Sequence, residues 1–170
     1  MLRAKRPFLG NINMNPEFLS VIEKLNLPFP WETNARGQII MTPVNYGHSS
    51  HVGDLIQLIA RIAPEWKSGS ELGIFTSDGV KAPDVTLASP EYHARHINDT
   101  GYVTEAPEIC IEVMSPSNSW QEMQDKIPLY FEVGAQEVWI VDIEGKVFFF
   151  AIGNEQLQNS RLIPDAPLYI

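Results

Sequence analysis

A short apolar segment bounded by prolines constrains the fold more than any other part of the chain. Residues 108–114 read Glu-Ile-Cys-Ile-Glu-Val-Met and lie between Pro107 and Ser115-Pro116. Their length and apolar content predict a buried β-strand. Side chains alternate along a strand, so one face should carry Glu108, Cys110, Glu112 and Met114. A buried carboxylate needs a cation, a metal or a proton, and the alternative for Glu112 is a strand-end glutamate paired with backbone or an arginine.

Two long helices are predicted, one from periodic apolar residues and the other from a capping signal. Between residues 48 and 63 the i, i+3, i+4, i+7 pattern predicts an amphipathic helix packed on a sheet, with the apolar positions Val52, Leu55, Ile56, Ile59 and Ile62. Ser119 and Glu122 have the spacing of a capping box, so a second helix is expected over residues 120–134. Pro128 lies inside this helix and should kink or split it.

Strand-like segments separated by turn residues predict three hairpins. Their strand pairs are residues 31–33 with 38–41, 72–76 with 80–88, and 138–142 with 146–152. A short helix is expected over residues 18–25, and the polar residues 89–106 are expected to form a long surface excursion. This order of elements predicts an α/β fold with a mixed central β-sheet flanked by helices.

Size and composition indicate one domain over residues 1–170, since 44% hydrophobic content suffices for one core. We expect a loose arm over residues 1–15, a core over about 30–152 and a tail over 153–170. The N-terminus lacks an apolar signal segment, and no apolar stretch approaches the ~18 residues that span a bilayer. The single cysteine, Cys110, is expected to be a reduced core side chain. A cytoplasmic protein without membrane contact is therefore expected.

The charge of the chain opposes tight binding of nucleic acid. Proteins that neutralise many phosphates usually carry a basic face, whereas this chain has a net charge of −9. A metal ion can, however, supply positive charge at an acidic site. We therefore expect any affinity for bulk nucleic acid to be weak and non-specific.

Two carboxylates and one lysine form the candidate site. Pro83 keeps the preceding backbone extended and could present Asp84 at the start of a strand, although a plain turn carboxylate is the alternative. If that strand neighbours the strand of Glu112, the two carboxylates can share a hard cation such as Mg²⁺. Lys126 would then point inward and offset charge at the site. Its alternative is an exposed i, i+4 pair with Glu122.

These residues belong to an ordered set of motifs: Pro83-Asp84, Glu112-Val-Met-Ser-Pro-Ser117, Lys126 followed by Tyr130 and Gly134, and Trp139-Ile-Val-Asp142. Over about residues 30–150 the set resembles the Uma-type putative restriction endonucleases, a bacterial branch of the PD-(D/E)xK nuclease superfamily. In the wider superfamily the lysine follows the glutamate on the same strand, at the position of Met114 here. In the Uma-type variant it lies on the next helix, as Lys126 does.

The resemblance implies a restriction-endonuclease-like core and a Mg²⁺- or Mn²⁺-dependent endonuclease acting on DNA. It implies metal binding by Asp84, Glu112 and the main-chain carbonyl of Val113, and a catalytic role for Lys126. Glu32, on the first hairpin, is an additional candidate ligand. The alternative is a catalytically inactive binding or assembly module with the same fold, which the acidic charge favours. A homodimer is also expected, because the tail carries the apolar residues Leu162, Ile163, Leu168, Tyr169 and Ile170.

Histidines support a weaker hypothesis. Two i, i+3 pairs could together offer four nitrogens to zinc: His48 with His51, and His93 with His96. Neither pair has the flanking cysteine or glutamate motif of known zinc sites. The simpler interpretation is that His48 and His51 cap and solvate the first long helix.

Overall fold

The computed structural model describes Lys24, residues 31–41 and residues 45–170. These residues form three helices, α1 (Tyr46–Ile62), α2 (Pro90–His96) and α3 (Trp120–Glu132). The strands are β1 (Glu32–Thr33), β2 (Ile39–Ile40), β3 (Lys67–Gly69), β4 (Ile74–Thr76), β5 (Gly79–Lys81), β6 (Val85–Ala88), β7 (Ile109–Val113), β8 (Glu137–Val141), β9 (Val147–Ala151) and β10 (Glu155–Leu157). The expected arm and, apart from Lys24, the helix expected over residues 18–25 lie outside the described residues. Within the described ranges no helix has the length and apolarity to cross a membrane.

The central sheet has the strand order β10-β9-β8-β7-β6-β3. Strands β7 and β8 are parallel, and the other neighbouring pairs are antiparallel. Helix α3 makes the crossover between the two parallel strands, as a parallel connection requires. Two separate hairpins, β1-β2 and β4-β5, complete the strands. The predicted mixed α/β architecture is therefore confirmed.

Each face of the central sheet covers its own apolar core. Alternate residues of β7, Ile109, Ile111 and Val113, pack into the core that α1 covers with Leu55 and Ile59. Cys110 faces the other core, which α3 covers with Met123, Ile127 and Tyr130. Glu112 follows Cys110 by two positions, so the alternation of the strand directs it to the side of α3. This separation of the two faces was predicted from the sequence.

The segment expected to be one long strand over residues 80–88 is two strands in two sheets. Strand β5 ends at Lys81 and β6 begins at Val85, and the bend between them contains Pro83 and Asp84. Proline supplies no backbone N–H for a strand ladder, which explains why pairing is interrupted here. The bend places Asp84 directly before β6, which pairs with β7. Asp84 therefore lies at the N-terminal end of β6, an inner strand of the central sheet, and not within a continuous hairpin.

The expected surface excursion over residues 89–106 is wrong in part, because it contains α2. Ser89 caps this helix by accepting from the N–H of Tyr92. Its own N–H and hydroxyl donate to the carboxylate of Glu108, at 3.0 and 2.6 Å. Tyr92 is 5% exposed and its hydroxyl donates to the carbonyl of Glu105. Glu108 is thus used to hold α2, and the capping signal of Ser89-Pro90 was overlooked.

The expectation that Pro128 would kink or split the helix is wrong as to the split, because α3 is continuous. The helix runs through Pro128 from Trp120 to Glu132, with the predicted capping box of Ser119 and Glu122 at its start. Pro128 lies on the exposed side, as does Gln124, whose carbonyl loses its partner. Solvent can satisfy that carbonyl, so the helix continues.

The C-terminal residues pack on the central sheet. Glu137, 2% exposed, accepts from the indole N–H of Trp139, the hydroxyl of Ser160 and the backbone N–H groups of Arg161 and Leu162. Ile163 is buried in the core on the α1 side. This placement corrects its assignment to a dimer contact, whereas Leu168 and Tyr169 are exposed and remain candidates for one.

Candidate metal and catalytic site

Side chains from five parts of the chain line one small cavity of about 80 Å³. They come from β1, the start of α1, the bend before β6, strand β7 and helix α3, in the order Glu32, His48, Asp84, Glu112 and Lys126. The antiparallel register that pairs Val85 with Ile111 explains why the bend lies beside the end of β7. The four acidic and basic side chains proposed from the sequence therefore share one site.

Glu112 and Lys126 form the buried centre of the cluster. Glu112 is 4% exposed, and its Oε2 accepts from Lys126 Nζ at 3.0 Å. Lys126 Nζ also donates to Oε1 of Glu32 at 2.8 Å. The Tyr130 hydroxyl, one turn further along α3, donates to the other oxygen of Glu112. Glu122 is used in the helix cap, so the alternative pairing of Lys126 with Glu122 is wrong.

The electrostatics of the cluster follow from its burial. Burial raises the pKa of Glu112 to about 7, and the nearby charges of Asp84 and Glu32 act in the same direction. The ammonium of Lys126 and the hydroxyl of Tyr130 oppose this rise. Burial also works against the charge of Lys126, but Glu112 and Glu32 outweigh it and raise the pKa of this lysine. Glu112 is therefore harder to ionise than an exposed glutamate, whereas Lys126 keeps its proton.

Asp84 and His48 complete the other side of the cavity. Oδ2 of Asp84 accepts from the backbone N–H of Val113 at 2.7 Å, which fixes the carboxylate beside β7. Nε2 of His48 lies 3.2 Å from Oδ1 of Asp84, and its Nδ1 lies 2.9 Å from the carbonyl oxygen of Val113. The hydrogen bond to Asp84 raises the pKa of His48, although burial opposes the rise. An imidazolium would donate to both oxygens at once.

Glu32 is held in place by the residue that follows β5. Its Oε1 also accepts from the backbone N–H of Ala82 at 3.0 Å. The next residue, Thr33, is anchored by Lys81 Nζ, which donates to its carbonyl at 2.9 Å, and by the N–H of Val80, which donates to its hydroxyl at 2.9 Å. Lys81 is 4% exposed and also pairs with Asp78 at 2.9 Å. Polar contacts therefore dock the β1-β2 hairpin against β5.

The oxygen atoms of the cavity fit a hard divalent cation by their chemistry. Carboxylates and main-chain carbonyls are the ligands of Mg²⁺, which keeps several waters and needs only one or two carboxylates from the protein. Across the described ranges, no group of three or more His, Cys, Asp and Glu side chains is arranged to hold a metal ion. The four-nitrogen zinc hypothesis is therefore wrong for the described histidines. A magnesium-type site built on Asp84, Glu112 and the Val113 carbonyl does not need such a group.

Sequence reasoning missed the roles of two residues of the cluster: His48, and Tyr130, which the motif set names without a role. His48 was assigned to helix capping, but Asn45 caps α1 and the imidazole of His48 points to Asp84 and Val113. No sequence signal joined His48 to Asp84, because a contact between residues so far apart depends on the tertiary fold. The role of Tyr130 could have been predicted, because it lies four residues after Lys126 and both side chains share one face of α3.

The fold and the cluster define a restriction-endonuclease-like α/β domain. A solved structure with a similar fold is that of "a putative nuclease belonging to DUF820 from Anabaena variabilis ATCC 29413", with a TM-score of 0.65, 24% identity, and coverage of 81% of this chain and 82% of that chain. The family model Uma2, described as "putative restriction endonuclease", matches residues 17–165. The chain belongs to the Uma2 family, and the predicted resemblance is confirmed. No curated protein matches the chain.

Proposed function

We propose that this protein is a metal-dependent endonuclease that hydrolyses phosphodiester bonds of nucleic acid, with DNA as the expected substrate. The observation that carries the proposal is the buried Glu112–Lys126 pair, which shares its cavity with Asp84. Two carboxylates, a carbonyl oxygen and an ammonium at one cavity suit the charge that develops when a phosphodiester is attacked. Membership of a family described as putative restriction endonucleases supports the same reaction class.

Asp84, Glu112 and the Val113 carbonyl would hold Mg²⁺ or Mn²⁺ in this proposal. The ion would lower the pKa of a bound water and stabilise negative charge on the phosphate. His48 lies against two of these three ligands, at Oδ1 of Asp84 and the carbonyl of Val113. A carbonyl oxygen has two lone pairs, so Val113 can accept from His48 and retain capacity for another partner.

Lys126 is the proposed catalytic cation. Its ammonium is held by Glu112 and Glu32, so its position is fixed before substrate arrives. From there it can orient the attacking water or offset charge on the phosphate. Glu32 accepts from Lys126 and from the backbone of Ala82 through Oε1, so we assign it as a positioning residue for the lysine, and it remains an additional candidate metal ligand.

The alternative function is a binding or assembly module that keeps the fold without cleaving anything. The specific observation in its favour is the net charge of −9, which repels polyanions. A cleavage assay separates the two functions, because only the nuclease would cleave nucleic acid in a reaction that depends on Mn²⁺ and on Lys126.

We expect wild-type protein with Mn²⁺ to nick plasmid DNA or cleave single-stranded DNA, and Lys126→Gln to lose at least ~100-fold of that rate. Glutamine keeps a hydrogen-bond donor but removes the charge. The matched control is Lys67→Gln, since Lys67 is exposed on β3 and does not line the cavity. Because Lys126 neutralises the buried Glu112 and the partly buried Glu32, its removal should also lower stability, so the rates are compared where circular dichroism finds both variants folded.

Calorimetric titration with Mn²⁺ provides the second arm of this experiment. We expect binding by the wild type and much weaker binding by an Asp84→Asn, Glu112→Gln double variant. Equal binding by the two proteins would remove these residues as ligands. A wild type that cleaves neither DNA nor RNA with any divalent metal would favour the binding module instead.

A further inference from the structure

A second and larger groove adjoins the candidate site. Its volume is about 340 Å³, compared with about 80 Å³ for the cavity that contains Asp84. Two residues, Ser115 and Asn118, line both spaces. They belong to the loop that joins β7 to α3, directly after the proposed metal ligand Val113. A molecule bound at the site can therefore extend along this loop into the groove.

The groove has an aromatic wall. The rings of Trp120 and Phe148 lie 4.9 Å apart at 67°, and both side chains are partly buried against the core on the α3 side. Met114 lines the same wall, and Ile143, 58% exposed, lies at its rim. Lys146 Nζ lies 4.8 Å from the centre of the Phe148 ring. Such a surface offers flat apolar contact with one positive charge beside it.

Polar groups border the aromatic wall. Asn118 uses its side-chain oxygen to accept from the N–H and hydroxyl of Ser115, at 3.0 and 2.8 Å. Asp142 accepts from the backbone N–H groups of Glu144 and Lys146 through Oδ1, both at 2.9 Å. Both side chains are therefore fixed by the backbone at the edge of the groove. A planar ring with donors and acceptors on its edge complements an aromatic wall with such a border.

The charge of the molecule selects among planar ligands of nucleic acid. With a net charge of −9, the protein gains little from phosphate contacts, so affinity must come from a neutral part of the substrate. Stacking of a base on an aromatic side chain supplies affinity without regard to sequence. In an intact duplex, however, the base faces are covered by their neighbours. Only an unpaired nucleotide can offer a face to Trp120 or Phe148.

We propose that the groove binds one unstacked nucleobase adjacent to the phosphate at the candidate site, so that the substrate is single-stranded or locally unpaired nucleic acid. This inference rests on the proposed function and narrows its substrate class. Ser115 and Asn118 mark the boundary between the base and the phosphate. Trp120, Phe148 and Ile143 contact the base.

The test measures binding of a labelled single-stranded oligonucleotide and of the matching duplex by fluorescence anisotropy in Ca²⁺ buffer, with intact oligonucleotide verified on gels. We expect wild type to prefer the single strand, and Trp120→Ala and Ile143→Glu each to weaken that binding about tenfold. Ile152→Glu is the matched control, since Ile152 is 70% exposed at the turn between β9 and β10 and does not line the groove. Ile143→Glu changes a surface residue, so it keeps the test decisive if Trp120→Ala fails to fold.

Equal binding of single strand and duplex, or unchanged binding by Ile143→Glu, would overturn the inference. A change of elution volume on gel filtration caused by Ile143→Glu would also overturn it, because the groove would then be a protein interface. Cleavage distinguishes the two proposals. If Mn²⁺-dependent nicking is unchanged in Ile143→Glu, the protein is a nuclease that does not use this groove. If binding depends on the groove but no cleavage is found, the protein is a single-strand binding module.

Discussion

The charge of Glu112 carries an electrostatic cost. Its carboxyl is almost wholly buried, yet two acids, Asp84 and Glu32, lie close enough to disfavour its charge. Lys126 and Tyr130 offset only part of that cost, because the pKa still reaches about 7. Proteins keep such a group where its charge or its proton is needed. A divalent cation between Asp84 and Glu112 would supply the missing positive charge.

A pH dependence of stability follows for the metal-free protein. The folded pKa of Glu112, about 7, exceeds its ordinary value of 4.5, so the folded state retains the proton longer than the unfolded state. The contribution of this group should be most favourable below about pH 4.5 and decline by about 3 kcal/mol as the pH rises to 7. Urea unfolding in EDTA at several pH values measures it. A Glu112→Gln variant should lack this decline, and the same pH profile in both proteins would contradict the assignment.

At the scale of elements, α3 determines where the site chemistry lies. Its inward face presents Lys126 and Tyr130 to Glu112, and its first residue, Trp120, lines the neighbouring groove. The capping box was sufficient to predict the start of this helix, whereas the inward direction of Lys126 was one of two alternatives. The effect of Pro128 could not be predicted, because sequence alone does not tell whether the carbonyl it leaves unpaired faces solvent or core.

Pro128→Ala should stabilise the protein. Alanine restores the backbone N–H that can donate to the exposed carbonyl of Gln124, and it removes the ring clash within the helix. We expect a gain of about 1–3 kcal/mol, less than the full helix-interior cost of proline because α3 already tolerates the residue. Thermal and urea denaturation measure the gain. Gln124→Ala, a neutral change at the neighbouring exposed position, is the control, and a destabilised Pro128→Ala protein would mean that the ring itself is required.

The strands and the side-chain contacts of the site differ in how far the sequence could predict them. The face of β7 that carries Glu112 follows from strand alternation alone, and the hairpin β8-β9 follows from its turn residues. The division of residues 80–88 into β5 and β6 could not be predicted, because the sequence does not tell which sheet each half joins. The contact of His48 with Asp84 needs the packing of α1 across β7. Predictions therefore held for most local patterns, with the start of α2 at Ser89-Pro90 as an exception, and failed where a distant partner determined the answer.

At the scale of the whole molecule, an acidic protein is proposed to act on a polyanion. A basic groove would make binding depend steeply on salt, since each neutralised phosphate releases counterions. Here the charges at the site are largely satisfied within the protein, as in the pair of Lys126 with Glu112 and Glu32. Binding should therefore be weak and mostly non-electrostatic.

A salt titration tests this expectation. We expect the logarithm of the affinity for single-stranded DNA to fall with the logarithm of NaCl concentration with a slope no steeper than about −2, as for two or three phosphate contacts. Fluorescence anisotropy over a series of NaCl concentrations at constant Ca²⁺ gives the slope. A steep slope would indicate binding by a basic surface and would contradict this expectation.

The docking of the β1-β2 hairpin has a consequence for how the proposed activity would be lost on warming. Glu32, which holds Lys126, lies on a strand of two residues that is tied to β5 mainly by hydrogen bonds of Thr33 and Lys81. Its partner lies 94 positions away in the chain, on α3. Such a segment can open locally while the central sheet stays folded, because it belongs to a separate two-stranded sheet that hydrogen bonds join to β5. Catalytic competence would then fade at temperatures where spectroscopic measures of the fold still report an intact protein.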